Sequence, residues 1–299
     1  MEIRLRVPGS TSNLGPGFDT LGLALTLYNR LTVRTTSAAG IRIAVQGMGA
    51  GLLPEGETNL FFRAAAAAAQ RIGSPLPGLE VEMRNQIPLA RGLGSSSTAI
   101  VAGVTAANHL FGGPLSESER LDLAAELEGH PDNVSACLRG GLTISSLSDG
   151  HVTCIRAFPP PELRAVVAIP HFELKTEAAR AALPKEVSHR EATFNVSHAC
   201  LVTAALLCGD LHALQPGMID RLHQPYRAPL IPGFEGVLKA AAEAGALGTC
   251  LSGAGPTLLA FATDGAERVK GAMVEAWRAV GIETEACVLQ VDSDGVTVE

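Results

Sequence analysis

Lysine is scarce in this chain: four residues of 299, against nineteen arginines. No basic block stands out and the net charge is −7, which argues against a nucleic-acid surface. Long apolar runs are missing too. The longest, Ala64–Ala69 and Ala199–Cys208, fall well short of the roughly 20 residues a membrane helix needs. The N-terminus, MEIRLRVPG, alternates polar with apolar residues and reads as a strand rather than a secretory signal. Six cysteines (Cys137, Cys154, Cys200, Cys208, Cys250 and Cys287) are scattered without a C-x-x-C pair. They are expected to be ordinary buried thiols of a cytoplasmic protein rather than metal ligands or disulfides. No repeat or low-complexity segment is evident.

Apolar residues make up 46% of the chain and charged residues 18%, enough for a substantial core. The length suits two domains or one large one. Period-two alternation marks EIRLRV, LTVRTT and LEVEMRNQI as strands. Asn59–Gly73 reads as a helix capped by Asn59 and stopped by glycine, and Ser116–Gly129 as one opened with the capping-box spacing. GGLTISS and HVTCIRA resemble two strands joined at SDG. The triple proline Pro159–Pro161 can continue neither a helix nor a central strand, so the expected domains are 1–158 and 159–299. Beyond it, strands are expected at 163–170, 258–262 and 285–291, and helices at 175–183, 188–208, 233–244 and 265–280. This pattern indicates an α+β unit with a mixed or antiparallel sheet.

The stretch Pro88–Gly103, PLARGLGSSSTAIVAG, breaks from glycine and serine straight into an apolar helix. Ile100, Val101, Val104 and Ala107 cover every face of that helix, so it is expected to be buried with its N-terminus at Gly92–Ser97. A helix start leaves several backbone N–H groups without partners and carries about half a positive charge. Gly92 and Gly94 allow positive φ or close approach of a ligand. The serines can cap the helix or offer a hydroxyl to magnesium. These are the needs of a phosphate site. It is not a Walker loop, which requires a lysine, nor does it have the dinucleotide spacing G-x-G-x-x-G. On this stretch alone, a glycine turn before a core helix remains an alternative.

The surrounding motifs change that balance. Pro88–Ser97 matches P-x-x-x-G-L-G-S-S-[SA] at every fixed position, STSNLGPGFDTLGLAL (Ser10–Leu25) precedes it, and GTCLSGAGPTLLAF (Gly248–Phe261) follows. In order and content these three segments resemble the motifs of the GHMP small-molecule kinases and span nearly the whole chain. The resemblance implies an N-terminal α+β domain with an unusual left-handed βαβ crossover and a ferredoxin-like C-terminal domain. Physical rules alone would favour the other hand. It further implies ATP held by Pro88, Leu89, Ala90, Arg91, Gly92, Leu93, Gly94, Ser95, Ser96, Ser97 and Thr98. Mg²⁺ would be held by Ser97 (or Ser96) and Glu128, with Glu126 the competing carboxylate. Arg91 is open between a phosphate contact and a surface charge.

The acceptor side is carried by ELEGHPDNVSACLRGG (Glu126–Gly141), FELKTEAARAALP (Phe172–Pro184) and QPYRAPLIPGF (Gln224–Phe234). Their resemblance implies L-homoserine as acceptor. Its carboxylate would be bound by Arg180 and Arg227, its ammonium by Asp19 with Asn13, and its hydroxyl side by His130 and Asn133, with Thr176 a weaker candidate. Some relatives place an aspartate where this chain has Asn133, which cannot act as a base at neutral pH. Asp132 is adjacent, and neighbours in a turn or strand usually point apart. The expectation is therefore direct in-line transfer, with Asn133, Asp19, Glu128 and Ser97 as the catalytic set. Gly9 and Ser12 depart slightly from the first motif and break nothing. Mevalonate as acceptor, or a non-catalytic metabolite binder, remain alternatives, and the resemblance allows a homodimer.

Overall fold

The computed structural model describes residues 1–299. Alternation buries Ile3, Leu5 and Val7 of β1 (Glu2–Ser12), which pairs antiparallel with the sixteen-residue β2 (Leu21–Thr36). β2 is long enough to serve two further neighbours. Residues 29–36 pair with β4 (Gly78–Asn85), and 21–23 with β5 (Leu142–Ser148), which forms a hairpin with β6 (His151–Ala157). β3 (Ile41–Gly47) lies parallel to β4 and is joined to it through α1 (Leu60–Ile72), a βαβ crossover. Asn59 caps α1 by accepting the Phe61 N–H, and Gly73 ends it at φ +79°. α2 (Ser95–Leu110), α3 (Glu117–Glu128) and α4 (Asp132–Arg139) complete this half, and a core of 28 buried residues unites helices and sheet.

The second sheet has β7 (Arg164–Pro170), β8 (Gly248–Leu251), β9 (Leu258–Ala262) and β10 (Thr284–Leu289) in the order β10-β7-β9-β8, all antiparallel. α9 (Phe234–Glu243), between its first and second strands in the chain, and α10 (Ala266–Ala279), between its third and fourth, pack together on one face of the sheet. That is the ferredoxin-like β-α-β-β-α-β arrangement. Between β7 and α9 the chain adds α5 (Thr176–Ala181), α6 (His189–Cys208), α7 (Leu214–Gly217) and α8 (Gln224–Arg227).

Both faces of this sheet are buried, which is why its strands read as continuous apolar runs. Ala165, Val167 and Ile169 pack with Leu21, Leu23 and Leu25 of β2. Val166 and Ala168 face Trp277 and Val237 on the opposite side. The first of these cores joins the two sheets and holds the first motif against the C-terminal half. The C-terminus then returns, as β11 (Thr297–Val298) pairs with β1.

Several sequence expectations need correction. Asp132 and Asn133 begin a helix rather than a turn or strand. All but Arg139 of α4 is buried, polar Asp132, Asn133 and Ser135 included. Only Cys137 and Cys250 are buried, while Cys200 and Cys208 are exposed on α6. The apolar run from Ala199 extends into a 20-residue helix that is long and apolar enough to cross a membrane, and only 22% of its apolar window is buried.

Candidate active site

A cleft of about 580 Å³ opens where the three motifs meet. They are tied together by short bonds. Leu93 O accepts the Ser10 N–H at 3.1 Å, and Gly253 donates its N–H to Ser12 O at 3.2 Å. Ser252 Oγ donates to Gly92 O at 2.6 Å. These approaches demand glycine. At Gly92 (φ +72°) a Cβ would lie 2.2 Å from Ser252 O, and at Gly94 (φ +71°) it would lie 2.2 Å from Ser10 Oγ.

Gly94 is the N-cap of α2 and no side chain caps the helix. The serines therefore do not cap it, contrary to one role they could have had. The first intrahelical bond runs from the Thr98 N–H to Gly94 O, and the amides of Gly94, Ser95, Ser96 and Ser97 find no acceptor in the protein. Unpaired donors at the positive end of a helix, facing a cleft, form an anion site. Leu89, Ala90, Arg91, Gly92, Gly94, Ser95, Ser96 and Thr98 line the cleft; Pro88 does not. Leu93 points into the core and Ser97 is fully buried beneath the loop. Arg91 donates to Pro170 O at 3.1 Å and Leu89 O at 3.2 Å, so its guanidinium braces the loop at the edge of the cleft.

Glu128 closes α3, at the negative end of a helix whose last turn has no basic residue. A carboxylate there is electrostatically uncompensated. Its Oε1 accepts the hydroxyls of Ser96 at 2.6 Å and Ser97 at 2.9 Å. Three hard oxygens beside an anion site fit the donor chemistry of Mg²⁺. Glu126 instead pairs with Arg71 at 2.9 Å on the surface.

Across the cleft, Arg180 holds both oxygens of Asp19, at 2.7 and 3.0 Å. That fork raises the Arg180 pKa despite opposing burial. Arg227 is 1% exposed and donates to Ala179 O, Gly253 O and His223 Nδ1. Burial, then the like charge of Arg180, pulls its pKa down to about 10, which leaves it charged at neutral pH. The Phe18 ring lies 5.5 Å from the Arg180 guanidinium and 5.3 Å from that of Arg227. Asn13 donates to Gly253 O at 3.0 Å and accepts the Asp19 N–H at 3.0 Å, so it holds the Asp19 turn in place. Thr176 lines the cleft at the start of α5.

Asp132 and Asn133 converge rather than point apart. Asn133 Nδ2 donates to Ser12 Oγ at 2.8 Å and lies 3.2 Å from Asp132 Oδ1, and its own Oδ1 accepts from Ser10 Oγ at 2.8 Å. His130 Nδ1 meets Asp132 Oδ1 at 2.6 Å. Burial disfavours the imidazolium, but the Asp132 carboxylate outweighs it and the His130 pKa is raised. Asp132 is correspondingly held below the usual carboxylate range, its burial outweighed by His130 and the Asn133 N–H. Sequence reasoning missed Ser10, Ser12, Ser252 and His223 as parts of this site. Ser10, Ser12 and Ser252 lie inside the first and third motifs, whereas His223 falls just before the segment that begins at Gln224.

Residues 59–141 match the family model for the GHMP kinases N terminal domain, and residues 201–279 that for the GHMP kinases C terminal domain. The chain belongs to the GHMP kinase family, enzymes that transfer phosphate to an alcohol. Within it, a homoserine kinase of Synechococcus sp. is 46% identical, covering 100% of this chain and 98% of its own length. One of Moorella thermoacetica is 45% identical over 98% of this chain and 99% of its own. The crystal structure of homoserine kinase from Cytophaga hutchinsonii superposes with a TM-score of 0.91 at 32% identity, covering 100% of this chain and 97% of that one.

Proposed function

We propose that this kinase phosphorylates the side-chain hydroxyl of L-homoserine with ATP, yielding O-phospho-L-homoserine and ADP in threonine biosynthesis. One observation carries the reading: unpaired helix-start amides and the Glu128–serine oxygens face a forked Arg180 and a buried Arg227 across a single cleft. Leu89–Gly92, Gly94–Ser96 and Thr98, which line the cleft, hold the nucleotide, its phosphates against the amides of Gly94–Ser97. Glu128, Ser97 and Ser96 would hold Mg²⁺, which would supply charge neutralisation on the transferring phosphates. Arg180 and Arg227 take the acceptor carboxylate by charge-assisted bonds. Once that carboxylate engages Arg180, Asp19 is released towards the ammonium.

Asn133 and His130 hold the hydroxyl in line with the γ-phosphoryl group. Asn133 has no basic atom, so catalysis rests on positioning and electrostatics. The 2.6 Å contact of His130 with Asp132 favours a second reading of this step, with His130 Nε2 taking the hydroxyl proton. His130→Gln separates the two. Positioning predicts a raised KM for the acceptor, whereas a base predicts loss of about 10²–10⁴ in kcat.

Division of the chain at residues 158 and 159 is supported by the strands of 2–157 lying in one sheet and those of 164–289 in the other. The enzyme works in the cytoplasm as a homodimer, for which the exposed apolar face of α6 offers a surface. An ADP-release assay with L-homoserine, L-serine and mevalonate tests the substrate. Turnover with homoserine well above the other two is expected, and preference for mevalonate would overturn the assignment.

A further inference from the structure

His223 is wholly buried at the back of the acceptor side, and no motif or family feature drew attention to it in the sequence. Its ring is held at both nitrogens. Nε2 lies 2.7 Å from Gly15 O in the first-motif loop, and Nδ1 lies 3.2 Å from Arg227 Nη1. A carbonyl can only accept and a guanidinium can only donate. Nε2 therefore carries the proton, and Nδ1 presents a lone pair to Arg227. The ring also stacks on Phe18, with centroids 5.2 Å apart, beside the cleft.

The turn that carries His223 is itself pinned. Asp220 accepts the backbone N–H of Leu222 at 2.9 Å, His223 at 3.0 Å and Gln224 at 2.6 Å. Arg227 sits one helical turn further on. Its remaining bonds, to Ala179 O and Gly253 O, run to the α5 segment and the third motif. The network thus ties the first-motif loop, α5 and the third motif to the acceptor side.

We propose that His223, as the neutral Nε2–H tautomer, is a positioning residue that aims the Arg227 guanidinium at the acceptor carboxylate and couples that aim to the first-motif loop. The inference rests on Arg227 serving the carboxylate, as in the function proposed above. Burial and the adjacent Arg227 cation both disfavour a charged ring, in agreement with the tautomer the hydrogen bonds require.

Two amide substitutions divide the roles, because Asn places its oxygen near the position of Nδ1 and Gln places its terminal group near that of Nε2. His223→Gln keeps the bond to Gly15 and loses the acceptor for Arg227. The KM for L-homoserine should rise about tenfold, as expected for a misaimed charge-assisted contact, with the KM for ATP within about twofold. With 3-aminopropan-1-ol, which lacks the carboxylate, kcat/KM should match wild type. His223→Asn keeps the acceptor for Arg227 and loses only the bond to Gly15, so its homoserine KM should rise clearly less than that of His223→Gln even if its melting temperature falls. Equal KM effects from both variants, or an equal loss with the amino alcohol, would overturn the proposal. Should neither variant fold, ¹⁵N NMR of the wild-type imidazoles decides. The proposal requires a buried ring protonated at Nε2 alone, and an imidazolium or an Nδ1–H tautomer at neutral pH refutes it. Failure of wild type to phosphorylate homoserine would sink the substrate assignment instead, and the NMR result would still test the ring's state.

Discussion

Gly92→Ala probes the tie between the phosphate loop and the third motif. Gly92 sits at φ +72°, and left-handed backbone costs a residue with a Cβ about 1–2 kcal/mol. The added methyl would also lie 2.2 Å from Ser252 O and 2.9 Å from the Gly255 N, both main-chain atoms. Relieving that overlap means moving one loop away from the other, at a further cost of about 1–3 kcal/mol. The sum, about 2–5 kcal/mol, corresponds to a fall of roughly 3–8 °C in Tm for a chain of this size. Displacing the amides by about 1 Å should also lower kcat/KM for ATP by up to about 100-fold. Gly112→Ala is the control: its φ is +81° but a Cβ there meets nothing within 4 Å. It should carry only the conformational cost of about 1–2 kcal/mol and leave nucleotide kinetics unchanged. Melting curves and ATP titrations of both variants supply the comparison. If Gly92→Ala matches Gly112→Ala in both readouts, the loop is not held where its amides can act.

Asn133→Asp should lower kcat, because the new carboxylate would lie about as close to Asp132 Oδ1 as the present amide, 3.2 Å, and repel it. A rise in kcat would support general-base catalysis. Arg180→Lys loses the planar fork seen on Asp19, and since the side chain is more than a third exposed the loss should be about 1–2 kcal/mol, or roughly 5–30-fold in homoserine KM. Unchanged KM would remove Arg180 from carboxylate binding. Glu128→Gln should raise the Mg²⁺ concentration needed for half-maximal rate about tenfold or more, whereas Glu126→Gln should not. The pH dependence of stability follows from His223, which faces Asp220, Arg227 and Asp19, and whose pKa is lowered by burial first. A depressed pKa means that its contribution is fully present above the unfolded value near 6.5 and is lost as pH falls below it. Between pH 7 and 5 wild type should lose stability more steeply than His223→Asn, by at most about 1.4 kcal/mol per pH unit. Parallel curves would contradict a neutral buried ring.

The sequence made the fold largely legible where periodicity and end signals agree, as in β1, α1 with Asn59 and Gly73, and α3 with Ser116 and Glu119. It failed at α4, a helix of only eight residues whose polar Asp132, Asn133 and Ser135 are buried with its apolar ones, and at β8, which is only four residues long. The phosphate loop could be read because glycine, serine and a buried helix impose a composition on it. The pairing of Arg180 with Asp19, 161 residues apart, has no local signature, and the motif resemblance implied only separate roles for the two residues towards the acceptor. The roles of Asp132 and His223 were hidden for a related reason. Each acts through partners brought together by tertiary packing, so nothing in its sequence neighbourhood distinguishes it from an ordinary core polar residue.

Amide hydrogen exchange across residues 89–100, with and without Mg²⁺ and a non-hydrolysable ATP analogue, bears most directly on the claim that main-chain donors at the start of α2 hold the phosphates. The account predicts marked slowing of exchange at Gly94–Ser97 on nucleotide addition, since these amides are unpaired in the free protein. Nucleotide binding that protects other segments and leaves this one exchanging as before would contradict it.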